Sequence, residues 1–322
     1  MSFLTPNEGL VRAAFRVTLE RVQPIAAMGL LDEESLTASL LGGVATTAPL
    51  LEELAMWEAS SAEAQSESKP VGSLEAGLED QVVQSGPSAS WGTYNKSGGA
   101  GDPTSETATG GDFALVIWDG PECARIAVFQ AKKGTVYKYG SKWTLNVRRG
   151  PTESSEGFTQ FVMLFANAIR CSQARINQPS LSIAKSFKQF SLESLKKSIE
   201  EVSWVHYLAY MEGTFACVPL AACSAALKNE LAPQKTSHTI EISIDSPRFY
   251  DVLTAGFDGD KKMWLPITRS NLEALLPSLL HLMPVHVVDE KGAGGLILGT
   301  VQGTAFFVSR KSGSQHSLKT PK

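Results

Sequence analysis

Asp112 opens an apolar run, Asp112-Phe-Ala-Leu-Val-Ile-Trp118, and Gln130-Ala131-Lys132 closes a second one that begins at Arg125. Asp119-Gly120-Pro121 separates them. Two apolar runs around such a turn predict an antiparallel hairpin. Side chains alternate along a strand, so Gln130 and Lys132 share a face with Val128, and the Asp112 carboxylate at the base of one strand can meet them at the end of the other. A carboxylate, an amide oxygen and the Ala131 carbonyl are hard oxygen ligands suited to Mg²⁺ or Mn²⁺. An ammonium beside them orients a water and offsets negative charge, which makes this a set for metal-assisted hydrolysis. Lys132, at a strand end, is expected outside the core.

Gly110-Gly111-Asp112-Phe113 followed by Gln130-Ala131-Lys132 resembles the signature of the PD-(D/E)XK, or restriction-endonuclease-like, nuclease superfamily, in the QxK form of its Mrr-like members. The resemblance spans roughly residues 73–212. It implies an α/β (α+β) fold with an αβββαβ core and a Mg²⁺- or Mn²⁺-dependent endonuclease acting on DNA, in restriction or antiphage defence. Because Gln130 is neutral, a second negative ligand is expected from the core's first helix. Glu79, on a helix predicted over 73–85, is the candidate, with Glu75 and Asp80 as rivals. The implied catalytic set is Asp112, Gln130, Lys132 and Glu79, and the metal ligands are Asp112, Gln130, Ala131 and Glu79. The glycines before Asp112 permit close approach of backbone to a ligand. Since one hydrolytic centre cuts one strand at a time, a homodimer or a partner protein is expected.

Residues 125–149 hold seven basic side chains and no acidic one, whereas residues 1–90 hold four basic and thirteen acidic. Lys133, Lys138, Lys142, Arg148 and Arg149, interleaved with Tyr137 and Trp143, offer phosphate contacts and flat stacking surfaces for nucleic acid. Two other classes stay open: a noncatalytic nucleic-acid-binding module on a degenerate nuclease fold, and a protein-interaction module built on the acidic helices.

The elements that must position these groups follow from hydrophobic spacing. The patterning divides the chain into an acidic helical region (1–60), a linker (61–72), the nuclease-like core (73–232), an α+β extension (233–309) and a basic tail (310–322). Helices are expected near 8–28, 33–60, 156–171 and 192–202, and a buried strand at Trp204–Met211. Helices near 247–255 and 269–282 and strands near 239–244, 285–288, 295–301 and 305–309 complete the extension. His206, inside an apolar strand, reads as packed. Lys291 to Gly299 and Asp258-Gly-Asp260 read as turns.

The 322 residues, 43% hydrophobic and 19% charged with net charge −4, suffice for a sizeable core. The four cysteines form no CxxC pair, which excludes a zinc ribbon or a disulfide scaffold and points to a reduced compartment. With neither a leader pattern nor an eighteen-residue apolar run, a cytoplasmic location with no membrane partner is expected.

Overall fold

The computed structural model describes residues 8–66, 88–91, 111–120, 122–136, 143–147, 159–174, 199, 201–231, 239–243, 245–272, 275, 279, 283–290 and 305–307. Helices α1 (Leu10–Ala27) and α2 (Glu33–Ser66) precede β1 (Ser88–Trp91) and the hairpin β2 (Phe113–Gly120) and β3 (Cys123–Lys133). Then come β4 (Thr135–Val136), β5 (Trp143–Asn146), α3 (Gln160–Ala174), β6 (Val205–Met211), β7 (Thr214–Pro219) and α4 (Ser224–Leu231). The last elements are β8 (Thr239–Ile242), α5 (Phe249–Phe257), β9 (Leu265–Thr268), β10 (Val285–Asp289) and β11 (Ala305–Phe307). The fold is mixed α/β. The helix expected over 73–85, the strand near 295–301 and the basic tail lie outside the described residues, as does nearly all of the helix near 192–202.

The larger sheet runs in the order β11-β1-β10-β2-β3-β6-β7, and β4-β5-β8 form a second, small one. β2 and β3 are antiparallel, with Phe113 opposite Phe129, and β3 is long enough to take two neighbours on its other edge. β9 pairs antiparallel with its first residues, Cys123–Ile126, and β6 pairs parallel with Val128–Lys133. Three departures from the sequence reading stand out. α2 continues through 61–66, into the stretch read as a linker. β10 and β11, assigned by patterning to a C-terminal extension, are strands of the main sheet, and so is β9, which patterning does not mark as a strand. β10 lies parallel to β2 and separates it from β1. Periodicity along the chain identifies a strand but not its neighbours, which long-range packing chooses.

Covering both faces of the sheet explains why β2 and β3 read as nearly continuous apolar runs. On one face Phe113, Leu115, Ile117, Ala127, Phe129 and Ala131 pack with residues of α1, α2 and α5. On the other, Ala114, Val116, Ile126 and Val128 meet Phe161, Phe165 and Ile169 of α3 and Leu145 of β5. The acidic N-terminal helices are therefore a layer of the same fold, not a detached unit. Arg12 fastens them further, pairing with Glu290 at 3.0 Å and Asp258 at 2.7 Å.

Phe129, immediately before Gln130, is held from several sides. It stacks on Phe113 at 5.1 Å and on His206 at 5.4 Å, and meets Phe249 and Trp264 edge-on at 5.2 and 6.5 Å. Trp264 donates to the Val252 carbonyl at 2.8 Å and lies directly against Gly256 of α5. A Cβ on Gly256 would stand only 2.7 Å from the indole Nε1. Gly256→Ala is therefore expected to lower stability by about 1–3 kcal/mol through overpacking, read as a lower urea midpoint with an unchanged slope.

His206 is fully buried, and its Nε2–H donates to the Met263 carbonyl at 2.9 Å. Desolvation outweighs that hydrogen bond and pushes its pKa from 6.5 down to about 4. The unfolded chain therefore takes up this proton first, so the contribution to stability is present above pH 6.5 and is lost as pH falls toward 4. His206→Gln should flatten the stability profile across that window, leaving the part due to buried His286, whose pKa burial pushes down to about 3.

Candidate functional site

Asp112 precedes β2, and its backbone N–H donates to the Phe129 carbonyl at 2.9 Å, so the ladder fixes it beside the last turn of the hairpin pattern. Its carboxylate curls toward β3. Oδ2 accepts the Ala131 backbone N–H at 2.6 Å and the Gln130 Nε2 at 2.8 Å. Gln130 also donates to the Ala131 carbonyl at 3.2 Å, and its Oε1 receives Nε2 of Gln160, the first residue of α3, at 3.5 Å. Asp112, Gln130 and Gln160 are all buried, and a buried carboxylate is tolerated only when donors converge on it. Gln130 thus presents its amide nitrogen, not its oxygen, to Asp112.

Lys132 does not stand free in solvent as a strand-end lysine would. Its side chain is 11% exposed, and Nζ donates to Glu33 Oε1 at 3.0 Å. Glu33 Oε2 accepts the Lys133 backbone N–H at 3.1 Å. The α1–α2 turn closes over the same spot, its Gly29 and Leu31 carbonyls accepting Lys133 Nζ at 3.2 and 3.1 Å. Glu33 belongs in the first turn of α2, where the N-terminal end of the helix dipole favours negative charge, and Asp32 caps the Ser35 N–H there at 2.8 Å.

One turn further along α2, the Thr37 hydroxyl hydrogen-bonds the Tyr210 phenol of β6 at 2.8 Å. Burial holds the Tyr210 phenol well above its ordinary range, opposed by the Thr37 hydrogen bond and reinforced by the charges of Asp112 and Glu33. Tyr210 is therefore a neutral hydroxyl lying near both carboxylates. The centre so formed sits at the end of the sheet where β2 starts and β3 and β6 finish.

Hydrogen bonds bring Asp112 together with Gln130 and Ala131, whereas Lys132, the next residue on β3, turns its ammonium to Glu33 of α2. Glu79, Glu75 and Asp80 lie outside the described residues, as do Tyr137, Lys138, Lys142, Arg148 and Arg149. Trp143 is half-buried in β5 and packs against the sheet core. Lys133 is exposed, with its ammonium on the α1–α2 turn. Arg125 is buried, pairs with Asp119 and donates to the Gly256 carbonyl at 3.4 Å. Three of the seven basic residues are thus occupied within the fold. Gly111 makes its close approach to protein, since a Cβ there would meet Met283 Sδ and Val128 Cγ1, each at 3.2 Å. Cys217 and Cys223 are buried, and burial pushes the thiol of Cys217 far up and that of Cys223 to about 12, which disfavours the thiolate of both.

Glu33, Thr37, Gln160 and Tyr210 escaped the sequence reading. An acidic residue in a helix's first turn is an ordinary capping signal, and nothing local ties Glu33 to a lysine 99 positions away. The chain matches no family model, no curated protein and no solved structure. Among the described residues no group of three or more His, Cys, Asp and Glu side chains is arranged around a common point. The oxygens here are engaged within the fold: Asp112 Oδ2 by Ala131 and Gln130, the Ala131 carbonyl by Gln130, the Gln130 oxygen by Gln160, and Glu33 by Lys132 and Lys133.

The Thr37–Tyr210 pair makes a checkable link between helix and site. Thr37→Val leaves a buried phenol without that partner and should cost about 1–3 kcal/mol, whereas Thr37→Val with Tyr210→Phe should cost less than the sum of the singles. Urea unfolding of the four proteins in the cycle measures the coupling; strict additivity would show that the pair does not fasten α2.

Proposed function

We propose that the chain is a divalent-metal-dependent nuclease hydrolysing phosphodiester bonds of DNA on a restriction-endonuclease-like core of the QxK type. The observation that supports the reading is the meeting of Asp112 with Gln130 and Ala131 at one sheet end, with Lys132 next on the strand and paired there with Glu33 of a preceding helix. Among the described residues α2, β1, β2, β3, α3 and β6 follow in that order, with the small-sheet strands β4 and β5 between β3 and α3 and with β10 lying between β1 and β2. Glu79 lies outside the described residues, and Glu33 bears on the site through its pairing with Lys132.

Asp112, with the Ala131 carbonyl and the Gln130 amide oxygen, would supply hard oxygen ligands for Mg²⁺ or Mn²⁺ in exchange for the hydrogen bonds these groups now make with one another. When bound, the cation polarises the scissile phosphate and acidifies water. The chain does the rest. The Ala131 N–H holds the Asp112 carboxylate in one orientation, and the buried surroundings strengthen every charge interaction there. Lys132 places a positive charge beside the scissile group, where it orients the attacking water and offsets the charge of the transition state. Tyr210 remains a neutral donor through the working pH range.

A second reading, a noncatalytic nucleic-acid-binding module on the same core, has one observation in its favour: Lys132 is already neutralised by Glu33, and Asp112 Oδ2 already has two donors.

Incubating the purified chain with linear and circular DNA and with RNA, in Mg²⁺, Mn²⁺ or EDTA, separates the readings. The nuclease should cut DNA with metal and stop with EDTA. Asp112→Ala should abolish cleavage, and Lys132→Met, which keeps the apolar stem, should slow it by ~10²-fold or more with folding retained. Gln130→Glu should keep activity or change its metal preference. DNA binding without cleavage, equal in EDTA and in Asp112→Ala, would instead establish the module.

A further inference from the structure

We infer that Glu33 is an internal competitor of the substrate: in the free chain its carboxylate occupies the donors at the end of β3 that a DNA phosphate takes, and DNA displaces it before Lys132 serves the reaction. The inference rests on the nuclease reading for its ligand and adds a regulatory contact to that site. Glu33 Oε1 accepts Lys132 Nζ at 3.0 Å, and Oε2 accepts the Lys133 backbone N–H at 3.1 Å. One anion thus spans an ammonium and a main-chain N–H with two oxygens, as the non-bridging oxygens of a phosphodiester do. The Lys133 N–H has a single hydrogen, so carboxylate and phosphate cannot both hold it.

Charge and exposure turn this overlap into competition. Lys132 alternates onto the face of Val128 and Gln130, which α3 covers, yet its ammonium is bonded to α2, a helix of the opposite layer. The Lys132 side chain is 11% exposed against 28% for Glu33, so the carboxylate is the more open side of the pair and an anion arriving from solvent meets negative charge there. Asp32 and Glu34 flank it, and no Lys or Arg follows Arg21 until Lys69. The main chain need not move for Glu33 to leave. The Thr37 hydroxyl donates to the Glu33 carbonyl at 2.9 Å, and Lys133 Nζ holds the Gly29 and Leu31 carbonyls, so the turn stays on the strand while one side chain rotates into water. A partly exposed carboxylate loses little by that exchange, and DNA affinity is reduced only by the share of chains in which the pair is closed.

The test is the dissociation constant of the full chain for a fluorescent DNA duplex in EDTA, where metal plays no part, with circular dichroism confirming the fold of each variant. Glu33→Gln should tighten binding by about fivefold, because the competing charge is gone. Glu33→Asp is the sharper variant. It keeps the net charge and an acidic residue in the first turn of α2, but withdraws the carboxylate by one methylene from both donors, and should tighten binding by about threefold. In a Lys132→Met background Glu33→Gln should change binding by less than about twofold, as a coupled pair requires. With Mg²⁺, Glu33→Gln should lower KM and leave kcat within about twofold. Unchanged or weaker binding by Glu33→Asp would reduce any gain in Glu33→Gln to net charge and overturn the inference, as would equal gains with and without Lys132. Loss of cleavage by Glu33→Gln at saturating DNA would place Glu33 in the catalytic machinery and also overturn it. Tighter binding by both Glu33 variants, with no cleavage by any chain, would keep the competitor and remove the nuclease reading. Cleavage in Mg²⁺ without DNA binding in EDTA would do the reverse, and neither binding nor cleavage would remove both.

Discussion

A carboxylate buried at the end of a sheet must be met by donors, and much of this molecule is arranged so that Asp112 is. The first donor is a main-chain N–H, that of Ala131, which points at Asp112 because β2 and β3 are paired in one register, Phe113 against Phe129. A slip of one residue would turn Gln130 and Lys132 to the other face and leave the carboxylate stranded. The aromatic packing around Phe129 therefore does more than fill space. Phe113, His206, Phe249 and Trp264 grip the residue adjacent to Gln130 and hold the register that buries the charge safely.

Charge at the site is balanced locally. Lys132 and Lys133 emerge where β3 leaves the sheet, and Glu33 meets the ammonium of one and the backbone of the other. The excess acidity of the N-terminal ninety residues has, at this one position, a structural address. The α1–α2 turn contributes carbonyl oxygens in addition, so the helical layer is joined to the strand end by hydrogen bonds of both kinds.

The hairpin was legible in the sequence because its signals are local: an Asp-Gly-Pro turn between two apolar runs, and period-two alternation placing Gln130 beside Lys132. α1, the start of α2, β6 and α5 were legible for the same reason. The partners of those elements were not. Glu33 reaches Lys132 across 99 residues, and β10 enters the sheet beside β2 from far along the chain, and neither relation leaves a trace in nearby composition. Charge density misled in one respect, since a run of basic residues reads as a solvated surface while Arg125 and Lys132 of that run are buried. Their carboxylate partners decide that outcome, and Glu33 comes from a different part of the chain.

The position of β10 bears on the order in which the molecule can be made. β2 carries the approach to Asp112, and its neighbour on one side is built from residues 285–289, while the Ala114 N–H is satisfied by the Pro284 carbonyl at 2.9 Å. A nascent chain that has emerged only through β7 has the hairpin, β6 and both N-terminal helices, yet β2 is still a bare edge. Pairing across so long a loop is slow, and an open apolar edge in the interval invites aggregation. Translation must therefore pass residue 289 before β2 gains its second neighbour, so a product cut short before β10 carries all four residues of the hairpin centre and no enclosed place to use them.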